Sequence, residues 1–469
     1  MSDAARELYS KEALTPLISP RSIAVIGASD RAGSLGARVM ANLGDYSGAV
    51  FLISERLKEI GGQRCHASIR EISEPVDCAV LAVPASAIEA VLEDCAAAKV
   101  RSSIIFASGY AELGTEEGLA AQERLKMIAH AAGMRLVGPN TTGIANLVSG
   151  AHCGFAEFPH GYSPRNGTIA LVSQSGAIAL GLSQAAERGS SLSHVLTAGN
   201  SVDVDIADYV SALADNETVD GIALVFEGLT SGDRLERAAA AAARAGKPIA
   251  VTKLGSSRLG AEAVAYHTAS KVGCPREWSA LFARCGMVEV EDLARLIETA
   301  TFLAKFRNLP KPAVAPAVAI LASSGGMGIL AADAAERNGV ATPQPSERTR
   351  MRLAEVIPPF GSPRNPCDAT AQATSNPRSI LASAAALLSD NRFDALVLVW
   401  AKAWASPYFH DLSDVAKTCG KPLCLVWMSQ WGDGPGSGEA ERLPNVALFR
   451  SLDSCMAAIR GWAGARGDV

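Results

Sequence analysis

No apolar run in the 469 residues reaches the roughly 18–20 that a membrane-spanning helix needs. The opening Met1-Ser2-Asp3-Ala4-Ala5-Arg6-Glu7 mixes charges where a secretory signal would place a basic patch and then an apolar stretch. Ten cysteines are scattered without a Cys-x-x-Cys, which argues against a disulfide framework or a zinc cluster. A block of basic residues is missing too: 43 Lys and Arg stand against 48 Asp and Glu, for a net charge of −5. Nucleic acid and anionic membranes are therefore poor candidates for the main partner. Neither Gly-x-Gly-x-x-Gly nor Gly-x-x-x-x-Gly-Lys-Ser/Thr occurs, so the dinucleotide fingerprint and the phosphate-binding loop of nucleotide hydrolases are absent. What remains is the expectation of a soluble, cytoplasmic α/β protein.

What is present supports large buried cores. Hydrophobic residues make up 48% and charged residues 19%. At roughly 100–200 residues per domain the length suggests three domains. Short β-branched runs alternate with Ala- and Leu-rich stretches of helical length, the pattern of parallel sheets with crossover helices. Ile23–Ile26, Val50–Ile53, Ala79–Val83 and Ile104–Phe106 read as strands of a first domain over residues 1–150. The Pro/Gly-rich stretch from Phe158 to Gly167 reads as a linker. A second sheet follows in residues 160–308, with strands at Ile169–Val172, Ile222–Phe226 and Pro248–Lys253 and a closing helix from about Glu291 to Phe306. Pro310, Pro312 and Pro316 mark the passage to a third domain, residues 314–469.

The third domain repeats the second. Ser175-Gly176 followed by Ala185-Ala186-Glu187-Arg188 recurs, at the same spacing, as Ser324-Gly325 followed by Ala334-Ala335-Glu336-Arg337. Asp220 ahead of one apolar strand recurs as Asp394, and Gly246-Lys247-Pro248 as Gly420-Lys421-Pro422. Three matches in one order point to a duplicated flavodoxin-like unit behind a Rossmann-like domain.

Each domain opens with an apolar strand, a turn of Gly and Ser, and a helix. Such a turn aims free amides and the positive end of the helix at one point, where an anion fits. The turns are Gly27-Ala28-Ser29, Ser173-Gln174-Ser175-Gly176 and Ser324-Gly325-Gly326. Among seven histidines, His267 in Tyr266-His267-Thr268-Ala269 stands apart. It follows a small-residue loop and the basic Lys253 and Arg258. A neutral imidazole can accept a phosphoryl group near pH 7. Glu227, at the end of the strand Ile222–Phe226, is the carboxylate expected to orient that ring, because open α/β sheets present functional groups at their strand ends.

From about residue 15 to 460 the chain resembles the NDP-forming acyl-CoA synthetases, relatives of succinyl-CoA synthetase, and among them the α-subunit of ADP-forming acetate–CoA ligase. The resemblance rests on an ordered series: Ser22–Ser29, Val83-Pro84-Ala85, Ser108-Gly109-Tyr110-Ala111-Glu112 and Gly138-Pro139-Asn140 with Gly143. Ser173–Gly176, Gly199-Asn200 with Asp203, Glu227-Gly228 and His267-Thr268 continue it. Ser324–Gly326 with Asp333, and Asn365-Pro366-Cys367-Asp368, complete it.

The resemblance implies that Gly27, Ala28 and Ser29 bind the phosphates of coenzyme A. Val83 and Pro84 would border its pantetheine and adenine, and Ser108 and Gly109 its thioester end. His267 would carry a phosphoryl group between ATP and a carboxylate, with Glu227 hydrogen-bonded to it. Ser173, Gln174, Ser175 and Gly176 would cap phosphohistidine from one side, and Ser324, Gly325 and Gly326 from the other. No segment resembles an ATP-grasp domain, so ATP or ADP with magnesium would sit on a partner β-subunit.

Two departures from the family pattern keep alternatives open. Tyr266 and Ala269 replace the Ser and Gly usual beside the catalytic histidine. A protein that binds acyl-CoA without turning it over is therefore one alternative. Ser54-Glu55 replaces Asn-Pro after the second strand, and a carboxylate there is where NAD enzymes hold ribose hydroxyls. An NAD(P)-dependent oxidoreductase is the other alternative, disfavoured by the missing fingerprint and by a duplication it does not explain. Trp400, Trp404, Trp427 and Trp431 are expected in the core rather than in a pocket.

Overall fold

Strands that are apolar along their whole length must be covered on both faces, and that requirement organises the chain. The structure is a computed structural model that describes residues 6–157, 168–229, 231–267, 274–312, 315–371, 376–403 and 405–464, without the side chains of residues 265–267 and 377. The linker expected at 158–167 lies outside the described residues. Among those described, no helix is long and apolar enough to cross a membrane.

The first sheet contains β1 (Ser22–Ile26), β2 (Ala49–Ile53), β3 (Glu59–Ile60), β4 (Gln63–His66), β5 (Cys78–Leu81), β6 (Ser102–Ile105) and β7 (Arg135–Val137). Their order is β3-β4-β2-β1-β5-β6-β7. All neighbours are parallel except β3 and β4. The chain leaves β1 on one side through β2 and returns on the other at β5. That reversal opens a crevice outside the carboxyl ends of β1 and β5, the place where open α/β sheets bind ligands.

The second sheet contains β8 (Gly143–Asn146), β9 (Ala151–Gly154), β10 (Ile169–Ser173), β11 (Leu192–Thr197), β12 (Gly221–Phe226), β13 (Ile249–Lys253) and β14 (Val288–Glu289), in the order β14-β13-β12-β10-β11-β8-β9. The third contains β15 (Val318–Ala322), β16 (Cys367–Asp368), β17 (Ala395–Trp400), β18 (Leu423–Trp427) and β19 (Val446–Phe449), in the order β16-β15-β17-β18-β19. The parallel part of the second sheet, β11-β10-β12-β13-β14, and the whole third sheet share one winding, the flavodoxin-like one.

The repeated residues make the same contacts in both copies. Asp220 accepts from the Thr168 amide at 2.9 Å, and Asp394 from the Ala317 amide at 2.8 Å. The Lys247 ammonium donates to the Leu213 carbonyl, and that of Lys421 to the Asp390 carbonyl. These two signatures hold the frame together in both copies.

Two expectations change. The boundary at 150 falls inside the β8–β9 hairpin, because β8 pairs antiparallel with β11 and so extends the second sheet. The closing helix is Leu296–Lys305 and is entered through a short tight turn at Leu293–Arg295, where Asp292 accepts the Ala294 amide. Trp427 is fully buried and Trp400 nearly so, whereas Trp431 is exposed and Trp404 lies outside the described residues. Helix Gly232–Arg244 shows how the sheets are covered: Leu235, Ala238, Ala239 and Ala242 line one buried stripe at helical spacing. One continuous core joins the first and second units through Val25, Val80, Tyr209 and Leu213. Another joins the second and third through Ala223, Phe302, Val397 and Trp462.

Candidate active site

The crevice of the first sheet is lined by the turns after β1 and β5. Helix Leu35–Asn42 starts at Ser34, whose hydroxyl accepts the Ala37 amide, and runs so close to the turn that a Cβ on Gly36 would overlap the Gly27 carbonyl. A Cβ on Gly27 would stand 2.5 Å from the Ala82 carbonyl oxygen, so the two turns touch. Val83 borders this contact and Pro84 is exposed beside it.

The amides of Gly27 and Ala28 are not free, contrary to the expectation. Both donate to the Ile53 carbonyl at 3.0 Å, continuing the parallel pairing of β1 with β2 beyond Ile26. An anion here would instead meet Ser29, the start of helix Leu35–Asn42, and the exposed Arg31 and Arg38. That set of donors suits a polyphosphate. Glu55 is an exposed charge.

Ser108 and Gly109 follow β6 and are exposed. Gly109 has a φ of +110°, open to glycine and strained for other residues. The Glu112 carboxylate accepts its amide at 2.5 Å and that of Tyr110 at 3.2 Å.

In the second unit, β10 delivers Ser173-Gln174-Ser175-Gly176 and β12 delivers Glu227. The side chains of the first loop make bonds that build the loop itself. The Ser173 hydroxyl donates to the Ser175 carbonyl and accepts the Ser175 amide. The Gln174 side-chain oxygen, buried, accepts the amides of Glu227 at 2.9 Å and Gly228 at 3.2 Å. The Ser175 hydroxyl caps helix Gly176–Ser183 by accepting the Ile178 amide. The amides of Gly176 and Ala177 then have no carbonyl to meet inside the helix, and they face the strand ends. Thr142 closes one side: a Cβ on Gly176 would stand 2.6 Å from its methyl. Nothing in Gly138-Pro139-Asn140 singles out Thr142, two positions later, so its place here is not legible in the sequence.

Glu227 is buried at the end of β12, next to Lys253 at the end of β13. Burial lowers the Lys253 ammonium to about 8, and Glu227 opposes the shift. Its Nζ donates to the Leu254 carbonyl at 2.6 Å. Helix Arg258–His267 leaves this corner, and His267 is its last residue. The side chain of His267 lies outside the described residues, as do residues 268–273.

The third unit repeats the arrangement with one change of charge. Helix Gly325–Arg337 starts at Ser324, whose side chain makes no capping bond. Where the second unit has Thr197 paired with Ser173, the third has Asp368 paired with Ala322. A Cβ on Gly325 would stand 3.1 Å from an Asp368 carboxylate oxygen, with Gly326 beside it exposed. The start of this helix therefore already lies beside a carboxylate of the chain itself, so the two helix starts are not alike. Of the remaining histidines, His130 pairs with the buried Asp203 at 2.8 Å.

Three family models match in order: a CoA-binding domain over residues 21–146, a succinyl-CoA ligase-like flavodoxin domain over 166–303, and a ligase-CoA domain over 318–417. A nucleotide-type crevice ahead of two flavodoxin-like units is the make-up of the CoA-ligase class. The chain belongs, within that class, to the NDP-forming acyl-CoA synthetase family. It is 35% identical over 367 residues to the α-subunit of ADP-forming acetate–CoA ligase I of Pyrococcus furiosus, covering 77% of each chain. It is 34% identical over 353 residues to ADP-forming acetate–CoA ligase I of Archaeoglobus fulgidus, covering 75% of this chain but 50% of that one. The chain thus spans about half the length of such longer relatives. The dinucleotide-forming acetyl-coenzyme A synthetase 1 of Ca. Korarchaeum cryptofilum, solved with phosphate and ADP, superposes with a TM-score of 0.81 at 26% identity, covering 96% of each chain. A solved protein of Pyrococcus horikoshii reaches 0.82 at 26% identity, covering 96% of this chain and 98% of that one.

Proposed function

We propose that this chain is the α-type part of an ADP-forming acid–thiol ligase, making acyl-CoA from a carboxylic acid and coenzyme A through phosphohistidine and acyl phosphate. The observation that carries the reading is one corner of the second sheet. There the start of helix Gly176–Ser183, the Glu227 carboxylate, the Lys253 ammonium and the helix ending in His267 all leave adjacent strand ends. Glu227 orients the His267 ring and favours its nucleophilic tautomer. The amides of Gly176 and Ala177 bind the phosphoryl oxygens.

A carboxylate oxygen attacks phosphorus, the N–P bond breaks, and His267 regains its lone pair. The thiolate of coenzyme A then attacks the acyl carbon, the C–O bond breaks, and inorganic phosphate leaves. Coenzyme A lies in the first crevice, with its phosphates at Ser29, Arg31 and Arg38, its middle along Val83 and Pro84, and its thiol near Ser108 and Gly109. ATP or ADP with magnesium belongs to an ATP-grasp partner, which about half the length of the longer relatives leaves room for.

Purified chain incubated with inorganic phosphate and a panel of acyl-CoAs tests this. Acid-labile phosphate on His267, absent from His267→Asn, is the expected result, and ATP without a partner should yield no ADP. Tight coenzyme A binding with no phosphorylation would favour a non-catalytic acyl-CoA binder. NADH binding without coenzyme A binding would favour an oxidoreductase.

A further inference from the structure

The loop that carries Ser108 and Gly109 is held from the neighbouring unit. Glu112 sits under this loop, with one carboxylate oxygen accepting the Gly109 and Tyr110 amides. Its other oxygen accepts from the Asn200 side-chain amide at 2.5 Å. Asn200 belongs to the loop after β11, in the second unit, and its amide also donates to Gln122 at 2.9 Å. Its own oxygen accepts from Asn140 at 3.3 Å, and its backbone amide donates to the Pro139 carbonyl at 3.0 Å.

The junction is under local strain: Asn140 and Ser201 both take positive φ, 57° and 56°, where side chains are costly. Burial pushes the Glu112 carboxyl up, but the bonds from Asn200 and Gly109 outweigh it and hold the group below the ordinary carboxylate range. The contact is therefore a charge-assisted bridge between the loop of one sheet and the loop of the next.

We propose that Glu112 and Asn200 are positioning residues, a strut that sets the Ser108–Gly109 loop against the second unit so that the coenzyme A thiol reaches the acyl phosphate. The inference rests on the reading of that loop as the thioester end. Both residues act through the loop, and neither is assigned a contact with the reacting atoms.

Reciprocal exchange tests it. Asn200→Asp sets two carboxylates face to face, and Glu112→Gln sets two amide NH2 groups face to face. The double variant restores a donor opposite an acceptor. Two rates are read with acetyl phosphate as the probe: phosphorylation of His267, which needs no coenzyme A, and formation of acetyl-CoA.

Each single variant should raise the KM for coenzyme A about tenfold or more. His267 phosphorylation should stay within about twofold, and the double variant should recover most of the loss. Amide exchange at Gly109 and Tyr110 should quicken in the single variants alone. Single variants with an unchanged KM, or phosphorylation falling in step with it, would overturn the strut and leave the ligase reading standing. A wild-type chain that neither binds coenzyme A nor takes phosphate from acetyl phosphate would overturn both.

Discussion

His194 shows how burial can decide the chemistry of a side chain. It lies fully buried in β11, and neither ring nitrogen has a hydrogen-bond partner among the described residues. Burial, helped by the nearby Lys247 ammonium, lowers its pKa from 6.5 to about 4. The folded chain thus keeps the ring neutral where the unfolded chain protonates it. Stability from this residue is complete above pH 6.5 and is lost as pH falls towards about 4, because only the unfolded state takes up the proton. Denaturation of the wild type and of His194→Phe between pH 7.5 and 4.5 should differ by up to ~1.4 kcal/mol per pH unit in slope, the wild type being the steeper. Equal slopes would mean that the ring is charged in the fold. Its sequence context, Leu192-Ser193-His194-Val195, does not show this burial by itself. Gln174 is the opposite case: it stands in a legible motif, yet its contact with the Glu227 and Gly228 amides is a matter of tertiary placement.

Among the elements, the turn after β1 and helix Leu35–Asn42 meet at a glycine with no room for a side chain. Gly36 packs on the carbonyl of Gly27, and the methyl of Gly36→Ala would have to push the helix off the turn. Shifts of that kind cost about 1–3 kcal/mol. Calorimetric titration should therefore show coenzyme A binding to Gly36→Ala about tenfold weaker, with His267 phosphorylation from acetyl phosphate unchanged. Undiminished binding would place the phosphates elsewhere. The strands are readable because short runs rich in β-branched residues alternate with Ala- and Leu-rich stretches of helical length. The β8–β9 hairpin was not, because nothing in Gly143–Asn146 says which strand will accept its hydrogen bonds.

Over the whole molecule, the three units are fastened by buried charge as well as by apolar area. Arg6 and Arg234 both meet Asp208, at 2.6 and 2.8 Å, where the first unit's leading segment lies on helix Ile206–Ala214. Between the second and third units, Arg450 bonds Glu441 at 2.9 Å and Glu298 at 3.4 Å, and Lys305 donates to the carbonyls of Glu441 and Val446. Arg450→Leu would leave two buried carboxylates without their cation, a loss of about 3–5 kcal/mol. Urea denaturation should show that loss with the first unit's coenzyme A affinity retained; a loss below about 1 kcal/mol would mean that solvent reaches the cluster. The sequence by itself determined the alternation of strand and helix, the duplication and the places where each sheet would offer a turn, since periodicity and local turn chemistry are written in short stretches of residues. Only the tertiary structure decided which amides remain free, that Asp368 stands at the third unit's helix start, and that Asn200 reaches Glu112. Such pairings join residues tens of positions apart, and no local rule of spacing or propensity encodes them.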